Sequence, residues 1–207
     1  MNTVILGATG GIGQALARVM PQPQILVARD SQKLFALARE LGVYAVPADV
    51  THQLEVMAVA QEIGGKGGIQ TLIYAIGDVA VGTDLAPDVL EKIWGANLLG
   101  FEYVCQYLGH LLSPTARVYA IGARPELVKA KGFEAYASAK AALSAYAKDA
   151  DIALQRPVTV VLPPAVKTPF WDRLGLPVPR NAIMPEVVAL GILEDLGRVP
   201  SPELRIG

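Results

Sequence analysis

Apolar residues of this chain gather in short runs, and segments of helical period lie between the runs. A run that is apolar throughout, without alternating polar positions, is typical of a strand that a parallel sheet buries on both faces. The intervening segments place apolar residues every three or four positions, as helices that pack one face on a sheet do. The repeated order of strand and helix predicts an α/β fold with a doubly wound parallel sheet and right-handed crossovers.

Seven strands and six helices follow from this pattern. Pro21 and Pro23 break the first helical segment, and Gly42 ends the second helix, which either Asp30 or Ser31 can cap. The predicted strands are 3–6, 24–28, 44–46, 71–76, 117–121, 158–162 and 204–206. The apolar positions of the predicted helices span 14–18, 34–41, 54–63, about 87–112, 135–154 and about 185–196.

The turn after the first apolar run holds Gly7, Gly10, Gly11 and Gly13. Their spacing fits both G-x-x-x-G-x-G and G-x-x-G-x-x-G. Glycine permits a positive φ and lets backbone N–H groups approach a pyrophosphate, while the following helix directs its positive dipole end at that anion. The layout predicts a βα dinucleotide-binding turn, and a glycine-rich turn without a ligand is the alternative.

The end of the second strand indicates which dinucleotide would bind. Sites that prefer NAD place a carboxylate here on the ribose 2′-hydroxyl, whereas an arginine accommodates a 2′-phosphate. This chain has Arg29 directly after Ala28, with Asp30 one residue further on. A guanidinium in this position favours NADP(H). A solvated Arg29, with Asp30 beginning the next helix, is the alternative.

Length and charge narrow the class of protein. The chain has 207 residues, which we expect to form a single domain, 1–207. Hydrophobic residues make up 52% and the mean hydropathy is +0.37, but glycine, proline or charged residues interrupt every apolar run well short of a membrane span. A net charge of −1 without a long basic run gives no indication of a nucleic-acid surface. Because the first predicted strand begins within a few residues of Met1, we expect no targeting segment and a cytoplasmic location.

Few side chains could hold a metal or attack a substrate. Cys105 is the single cysteine of the sequence, and its apolar surroundings favour helix packing over a nucleophilic role. His52 and His110 are the two histidines, which together with one cysteine cannot build a typical His/Cys metal site. The sequence therefore predicts no metal.

A second motif, Y-x-x-x-K, lies in the fifth predicted helix. Tyr136 and Lys140 stand one turn apart on one helix face, where the cation can favour the phenolate; a surface pair is the alternative. Together with the glycine turn, this motif makes the sequence resemble the short-chain dehydrogenase/reductase family over nearly its whole length. Supporting matches are Asp49-Val50, Asn97-Leu98, and Pro163 followed by Thr168.

The resemblance implies a Rossmann fold with strand order 3-2-1-4-5-6-7 and hydride transfer between a nicotinamide and a small carbonyl or alcohol. Tyr136 would be the general acid or base, Lys140 would lower the pKa of Tyr136 from about 10 and hold the nicotinamide ribose, and Asn97 would hold a relay water. Asp49 would meet the adenine, with a plain turn aspartate as the alternative. The implied cofactor-binding residues are Gly7, Thr9, Gly10, Gly11, Ile12, Gly13, Arg29, Asp49, Val50, Ala75, Gly77, Tyr136, Lys140 and Thr168.

The main departure from the family concerns its catalytic serine. That serine usually stands thirteen residues before the tyrosine, where this chain has Ala123. Positions 118–135 contain neither serine nor threonine. The substrate oxygen would therefore lack one hydrogen-bond donor, unless Tyr74, Tyr119 or a loop amide supplies it.

Two functions follow from these observations. The first is an NADP(H)-dependent oxidoreductase for a small carbonyl or alcohol, and the retention of Tyr136, Lys140 and Asn97 favours it. The second is an NADP(H)-binding protein with little or no turnover, acting as a redox-linked regulatory or interaction subunit. Ala123 favours this second function. Because the fold hosts many functions, it does not decide between them.

Two further segments bear on the substrate and on assembly. Phe170 and Trp171 are candidates for an apolar lid over the substrate, and subunit packing is an equal interpretation.

The helices around 98–112 and 141–154 carry more apolar and small residues than one buried face needs. We therefore expect a homodimer or a higher homo-oligomer, with two-fold pairing as the default symmetry.

Overall fold

One parallel sheet of seven strands forms the centre of the computed structural model. The strands are β1 (Asn2–Leu6), β2 (Gln24–Ala28), β3 (Tyr44–Pro47), β4 (Ile69–Tyr74), β5 (Leu112–Ile121), β6 (Val158–Leu162) and β7 (Glu203–Arg205). Their order in the sheet is β3-β2-β1-β4-β5-β6-β7, and each neighbouring pair runs parallel. This is the doubly wound Rossmann order, so the predicted fold class is confirmed.

Helices cover both faces of the sheet. They are α1 (Gly11–Val19), α2 (Ser31–Leu41), α3 (Gln53–Gly64), α4 (Pro87–Trp94), α5 (Gly100–Leu108), α6 (Glu134–Leu154), α7 (Phe170–Arg173) and α8 (Pro185–Asp195). Helices α3, α5 and α6 share one hydrophobic core with one face of the sheet, and α1, α2 and α8 share a second core with the other face. Every position of β1, β2 and β6 is buried, which explains why these segments are mostly apolar.

The ends of α2 show how the sequence sets a helix boundary. Of the two capping candidates, Asp30 is the N-cap, because its side chain accepts a hydrogen bond from the backbone N–H of Lys33 at 3.0 Å. At the other end Gly42 adopts φ +67°, the left-handed conformation in which helices commonly stop at glycine. Both ends lie where the sequence predicts them.

The helix predicted over about 87–112 is interrupted in the structure. Between α4 and α5 lies a π-helical segment, Gly95–Leu99, and a 3₁₀ turn, Gly109–Leu111, follows α5. β5 then begins at Leu112, earlier than the predicted start at 117, because its pairing with β4 continues across an irregularity in register. A π-helical turn is defined by its i→i+5 main-chain hydrogen bonds, which the hydrophobic pattern of a single sequence does not show.

Some smaller boundaries also differ from the prediction. Phe170–Arg173, which no predicted element covers, forms the short helix α7. β4 covers Ile69–Tyr74 where 71–76 was predicted, and the last strand begins one residue earlier than predicted, at Glu203. The structure describes residues 1–125, 128 and 130–207. Within these residues, no helix combines the length and the apolar character needed to span a membrane.

Cys105 lies on the buried side of α5. Its side chain is 5% exposed and belongs to the core shared with α3 and α6. Burial raises the pKa of the thiol to about 12, so the reactive thiolate is disfavoured at neutral pH. This environment fits the packing role predicted from the sequence.

Candidate active site

A cleft of about 880 Å³ opens at the carboxyl ends of the strands. Ligands of doubly wound sheets bind at this edge, beside the two central strands where the strand order reverses, here β1 and β4. Every predicted cofactor residue except Gly13 lines the cleft: Gly7, Thr9, Gly10, Gly11, Ile12, Arg29, Asp49, Val50, Ala75, Gly77, Tyr136, Lys140 and Thr168. The fold therefore brings residues from most of the chain to one place.

The glycine turn is packed so closely that side chains have no room. Gly7 has φ +83°, and a Cβ there would lie 2.6 Å from the carbonyl oxygen of Ala75. A Cβ on Gly13 would lie 2.1 Å from the carbonyl oxygen of Gly7, so Gly13 closes the turn from inside. Gly11 faces Thr168, whose Cγ2 would lie 2.5 Å from an added Cβ. Glycine at these positions therefore keeps β1 and α1 at the spacing that the turn requires.

Charged side chains border the cleft after β2. Arg29 is 65% exposed there, and its Nη1 lies 3.5 Å from Oδ2 of Asp49. Lys33, one turn into α2, places its Nζ 3.1 Å from Oδ2 of Asp30. Because Asp30 also caps α2, its carboxylate is held by the helix end and by a lysine. Two cations, Arg29 and Lys33, thus line this end of the cleft.

Asp49 is fixed by the residue two positions further along. Its Oδ1 accepts hydrogen bonds from the backbone N–H and the hydroxyl of Thr51, at 3.0 and 2.8 Å. Partial burial acts to raise the pKa of Asp49, but the hydrogen bonds from Thr51 and the charge of Arg29 outweigh it and hold the pKa below its ordinary value. Asp49 is therefore a carboxylate of fixed orientation at the cleft wall.

Tyr136 and Lys140 lie on the side of α6 that faces the cleft. Lys140 is 5% exposed, its Nζ donates to the carbonyl oxygen of Ile121 at 2.7 Å, and it lies 6.0 Å from the centre of the Tyr136 ring. Burial raises the pKa of Tyr136 to about 12 and lowers the pKa of Lys140 to about 7. The predicted lowering of the Tyr136 pKa is therefore wrong for the protein's own groups, because burial removes hydration from the phenolate.

Asn97 lies in the π-helical segment and is completely buried. Its Nδ2 donates to the carbonyl oxygens of Asp78 and Ile93, at 2.6 and 2.8 Å. Its Oδ1 is buried and finds no partner among the described residues. A Cβ on Gly77 would lie 3.0 Å from this Oδ1 and 3.3 Å from Nζ of Lys140, so both atoms face the backbone of Gly77. An oriented acceptor thus lies beside the ammonium, next to Gly77 of the cleft wall, which suits a bound water.

Neither of the two tyrosines suggested by the sequence replaces the hydrogen-bond donor that is missing at Ala123. The Tyr74 hydroxyl donates to a main-chain carbonyl of the π-helical segment at 2.8 Å. The Tyr119 hydroxyl donates to Oδ2 of Asp195 in α8 at 2.9 Å. Both tyrosines are completely buried, so the expectation that either could supply the missing donor is wrong. A main-chain amide of the loop after β5 stays a prediction.

Aromatic side chains of α7 stand beside Tyr136. The ring centres of Phe170 and Tyr136 are 5.9 Å apart, and those of Phe170 and Trp171 are 5.1 Å apart. The indole N–H of Trp171 donates to the carbonyl oxygen of Val166 at 2.9 Å, which fixes the ring. Both residues line the cleft, as the lid interpretation requires.

Arg124 is a residue of the cleft wall that the sequence analysis did not single out. Its Nε donates to the carbonyl oxygen of Leu162 at 3.1 Å, and its Nη2 donates to the carbonyl oxygens of Ile206 and Gly207. Arg124 therefore ties the loop that carries Ala123 to the ends of β6 and β7. The sequence feature that could have pointed to Arg124 is its position directly after Ala123, where the serine is missing.

Comparison with known proteins identifies the family. A sequence model described as short chain dehydrogenase matches residues 1–176, so the chain belongs to the short-chain dehydrogenase family of oxidoreductases. A solved short-chain oxidoreductase from Thermus thermophilus is 36% identical, with 97% of this chain and 98% of that chain covered and a TM-score of 0.87.

Two further proteins show how far the similarity reaches. An uncharacterized oxidoreductase from Staphylococcus haemolyticus (strain JCSC1435) is 30% identical to this chain over 109 residues. The match covers 48% of this chain and 47% of that protein, so this chain matches about half the length of that relative. A short-chain dehydrogenase from Sphingobium yanoikuyae, solved in complex with NADPH, is 24% identical, with 99% and 86% of the chains covered and a TM-score of 0.83. At this identity the likeness shows the shared fold.

Proposed function

We propose that this protein is an NADP(H)-dependent oxidoreductase that transfers hydride between the nicotinamide and a small carbonyl or alcohol. One observation carries the proposal. In the described part of the chain the buried Oδ1 of Asn97 has no partner, and this atom and the ammonium of Lys140 face the backbone of Gly77, beside a cleft that Gly77, Lys140 and Tyr136 line. A buried acceptor without a partner is costly in a merely structural position, and a hydrogen-bonded water or ligand would remove that cost.

The residues of the cleft fit a dinucleotide. Gly7, Gly10 and Gly11 present backbone without side chains near the N-terminus of α1, where a pyrophosphate would be stabilised. Asp49 and Val50 would adjoin the adenosine, and Thr168 would lie toward the nicotinamide. Related structures have been solved with NADPH and with NAD, which supports a nicotinamide cofactor in this cleft. When bound, the cofactor supplies or accepts the hydride.

Arg29 supports the choice of NADP(H). Its guanidinium is exposed at the cleft mouth, and Lys33 adds a second cation nearby. The carboxylate of Asp30 caps α2, so it is engaged at the helix end and does not face Arg29 as an unpaired anion. A 2′-phosphate would therefore compete with the neighbouring carboxylates, Asp49 and Asp30, for these two cations, and its larger negative charge favours it.

The protein residues would move the proton of the reaction. With its pKa raised to about 12, the hydroxyl of Tyr136 stays protonated at neutral pH and can donate to a substrate oxygen on which negative charge develops. Lys140, with a pKa of about 7, can lose or gain a proton near neutral pH and thereby help to reprotonate the phenol. Asn97 would orient a water between the lysine and solvent.

A second function is favoured by the position of Ala123. Neither Tyr74 nor Tyr119 supplies the donor that the family serine would provide, so a substrate oxygen meets fewer donors than usual. A protein that binds NADP(H) with little turnover, and signals its binding to a partner, would tolerate this loss.

Direct titration of NADPH and NADH, combined with NADPH oxidation across aldehydes, ketones and quinones, separates the two functions. Oxidation supports the enzyme, whereas tight binding without oxidation of any compound supports the regulator.

We also propose that the protein forms a homodimer through α6 and the start of α5. The outer surface there includes Leu99, 39% exposed, and Ile152, 76% exposed. Small residues of α6 such as Ala141 and Ala145 are also exposed and would let a second helix approach closely. Sedimentation at micromolar concentration should give the mass of a dimer, and a monomer throughout would refute this assembly.

A further inference from the structure

The cleft continues past Tyr136 into a compartment, which we call the distal compartment. Its described side chains include three aromatic rings, those of Phe133, Phe170 and Trp171. We propose that the distal compartment binds an uncharged aldehyde or ketone with an aromatic ring next to the carbonyl. This inference rests on the function proposed above and names its substrate class.

The first argument is the arrangement of the rings. Phe170 stands between Tyr136 and Trp171, with interplanar angles of 58° to Tyr136 and 75° to Trp171. Tilted and edge-to-face contacts of this kind are the favoured geometry of aromatic pairs. A substrate ring placed beside Tyr136 would extend the same cluster, so its carbonyl would come within reach of the tyrosine hydroxyl.

The second argument is that the polar groups of this wall are already engaged. The indole N–H of Trp171 is bound to the carbonyl of Val166. The guanidinium of Arg124 donates to three main-chain carbonyls. Arg173 of α7 pairs with Asp78, its Nη1 lying 3.6 Å from Oδ1. These polar groups already have protein partners, so a charged substituent that enters the compartment would compete with those partners and lose hydration.

The third argument is the apolar character of the remaining wall. Ala123 presents a methyl group where the family serine would present a hydroxyl, and Val128, Ala130 and Leu176 continue the surface. The Tyr136 hydroxyl is then the donor that the wall offers to a carbonyl oxygen. A carbonyl whose developing alkoxide is less basic depends less on a second donor. An aryl ring next to the carbonyl makes the developing alkoxide less basic than an alkyl group does.

Binding of three small probes tests the inference without relying on turnover. The probes are 4-methylbenzaldehyde, its charged counterpart 4-carboxybenzaldehyde, and the saturated 4-methylcyclohexanecarbaldehyde, each titrated by saturation-transfer NMR with and without NADP⁺. We expect 4-methylbenzaldehyde to bind at least tenfold more tightly than the carboxylate and several-fold more tightly than the saturated ring. Phe170→Leu should remove most of the preference for the aromatic ring, whereas Phe35→Leu, an exposed phenylalanine of α2, should leave it unchanged.

The outcomes separate this inference from the proposed function. If 4-carboxybenzaldehyde binds equally or more tightly than 4-methylbenzaldehyde, the inference that the substrate is uncharged is overturned. If the saturated ring binds equally tightly, the inference that the substrate is aromatic is overturned. NADPH oxidation with polar aldehydes would leave the proposed function standing in both cases. Absence of NADPH binding would overturn the proposed function, while the probe affinities measured without NADP⁺ would still decide the substrate class.

Discussion

Replacing the buried lysine should make the protein more stable and change how its stability depends on pH. Lys140 is 5% exposed, and burial lowers its pKa from about 10.5 to about 7. Because the folded-state pKa lies below the unfolded value, the unfolded chain binds more protons between about pH 7 and pH 10.5. The free energy of unfolding should therefore rise with pH in this window. Lys140→Met removes the titrating group and with it this part of the rise.

The magnitude follows from the size of the pKa shift. One pKa unit corresponds to about 1.4 kcal/mol, so keeping the ammonium charged and buried below pH 7 costs on the order of 4–5 kcal/mol. Lys140→Met removes this cost but leaves the Ile121 carbonyl without the hydrogen bond from Nζ, and a buried acceptor left without its donor costs about 1–3 kcal/mol. Lys140→Met should therefore stabilise the protein by about 2 kcal/mol at pH 6. Between pH 7 and pH 9 the advantage should shrink by about 3 kcal/mol and vanish or reverse.

Urea denaturation at pH 6, 7, 8 and 9, followed by tryptophan fluorescence, measures this difference. Lys148→Met is the matched control, since Lys148 lies on the same helix and is exposed. Its stability profile should run parallel to that of the unmodified protein. If the Lys140→Met profile also runs parallel, the lysine is not held at a lowered pKa, and its assignment as a proton carrier near neutral pH is refuted.

Three other substitutions test separate parts of the site. Arg29→Ala should reduce the preference for NADPH over NADH by about 1.5–3 kcal/mol in direct titration, and equal affinity of the unmodified protein for both cofactors would contradict the 2′-phosphate assignment. Ala123→Ser should raise turnover, by less than the roughly 10²–10³-fold that an oxyanion donor can supply. The control Ala123→Gly should leave turnover unchanged. No rise with serine would refute the account in which a donor is missing. Gly13→Ala should lower stability by about 1–3 kcal/mol in thermal unfolding, because its Cβ would lie 2.1 Å from the Gly7 carbonyl oxygen. The control Gly65→Ala would make only ordinary contacts and should not lower stability. Equal effects of the two substitutions would contradict the packing argument.

The sheet and the glycine turn could be predicted because their causes are local. Apolar runs such as Val158–Leu162 have the length and composition of buried strands, and glycines separate the first run from a helix. The order of the strands followed from the resemblance to a family. Asp30 and Gly42 also act through their own backbone, which explains why the ends of α2 fall where the sequence indicates.

Other features depend on contacts between distant segments, which a single sequence does not show. Tyr74 and Tyr119 looked available to a substrate, yet each hydroxyl is bound elsewhere inside the fold. Arg124 reaches the ends of two strands that follow it by about forty and eighty positions. The pKa of Tyr136 is set by how deeply α6 buries it, and the spacing of Y-x-x-x-K carries no information on burial.

The most direct test of the proposed oxidoreductase activity compares the unmodified protein with Tyr136→Phe in NADPH-dependent reduction of the best aldehyde or ketone, with NADPH affinity measured on the same samples. The substitution removes the transferable proton and keeps the ring that packs on Phe170. We predict a loss of about 10²–10⁴-fold in turnover with nearly unchanged NADPH affinity. Full activity of the Phe variant would contradict the assignment of Tyr136 as the proton donor and with it the proposed site.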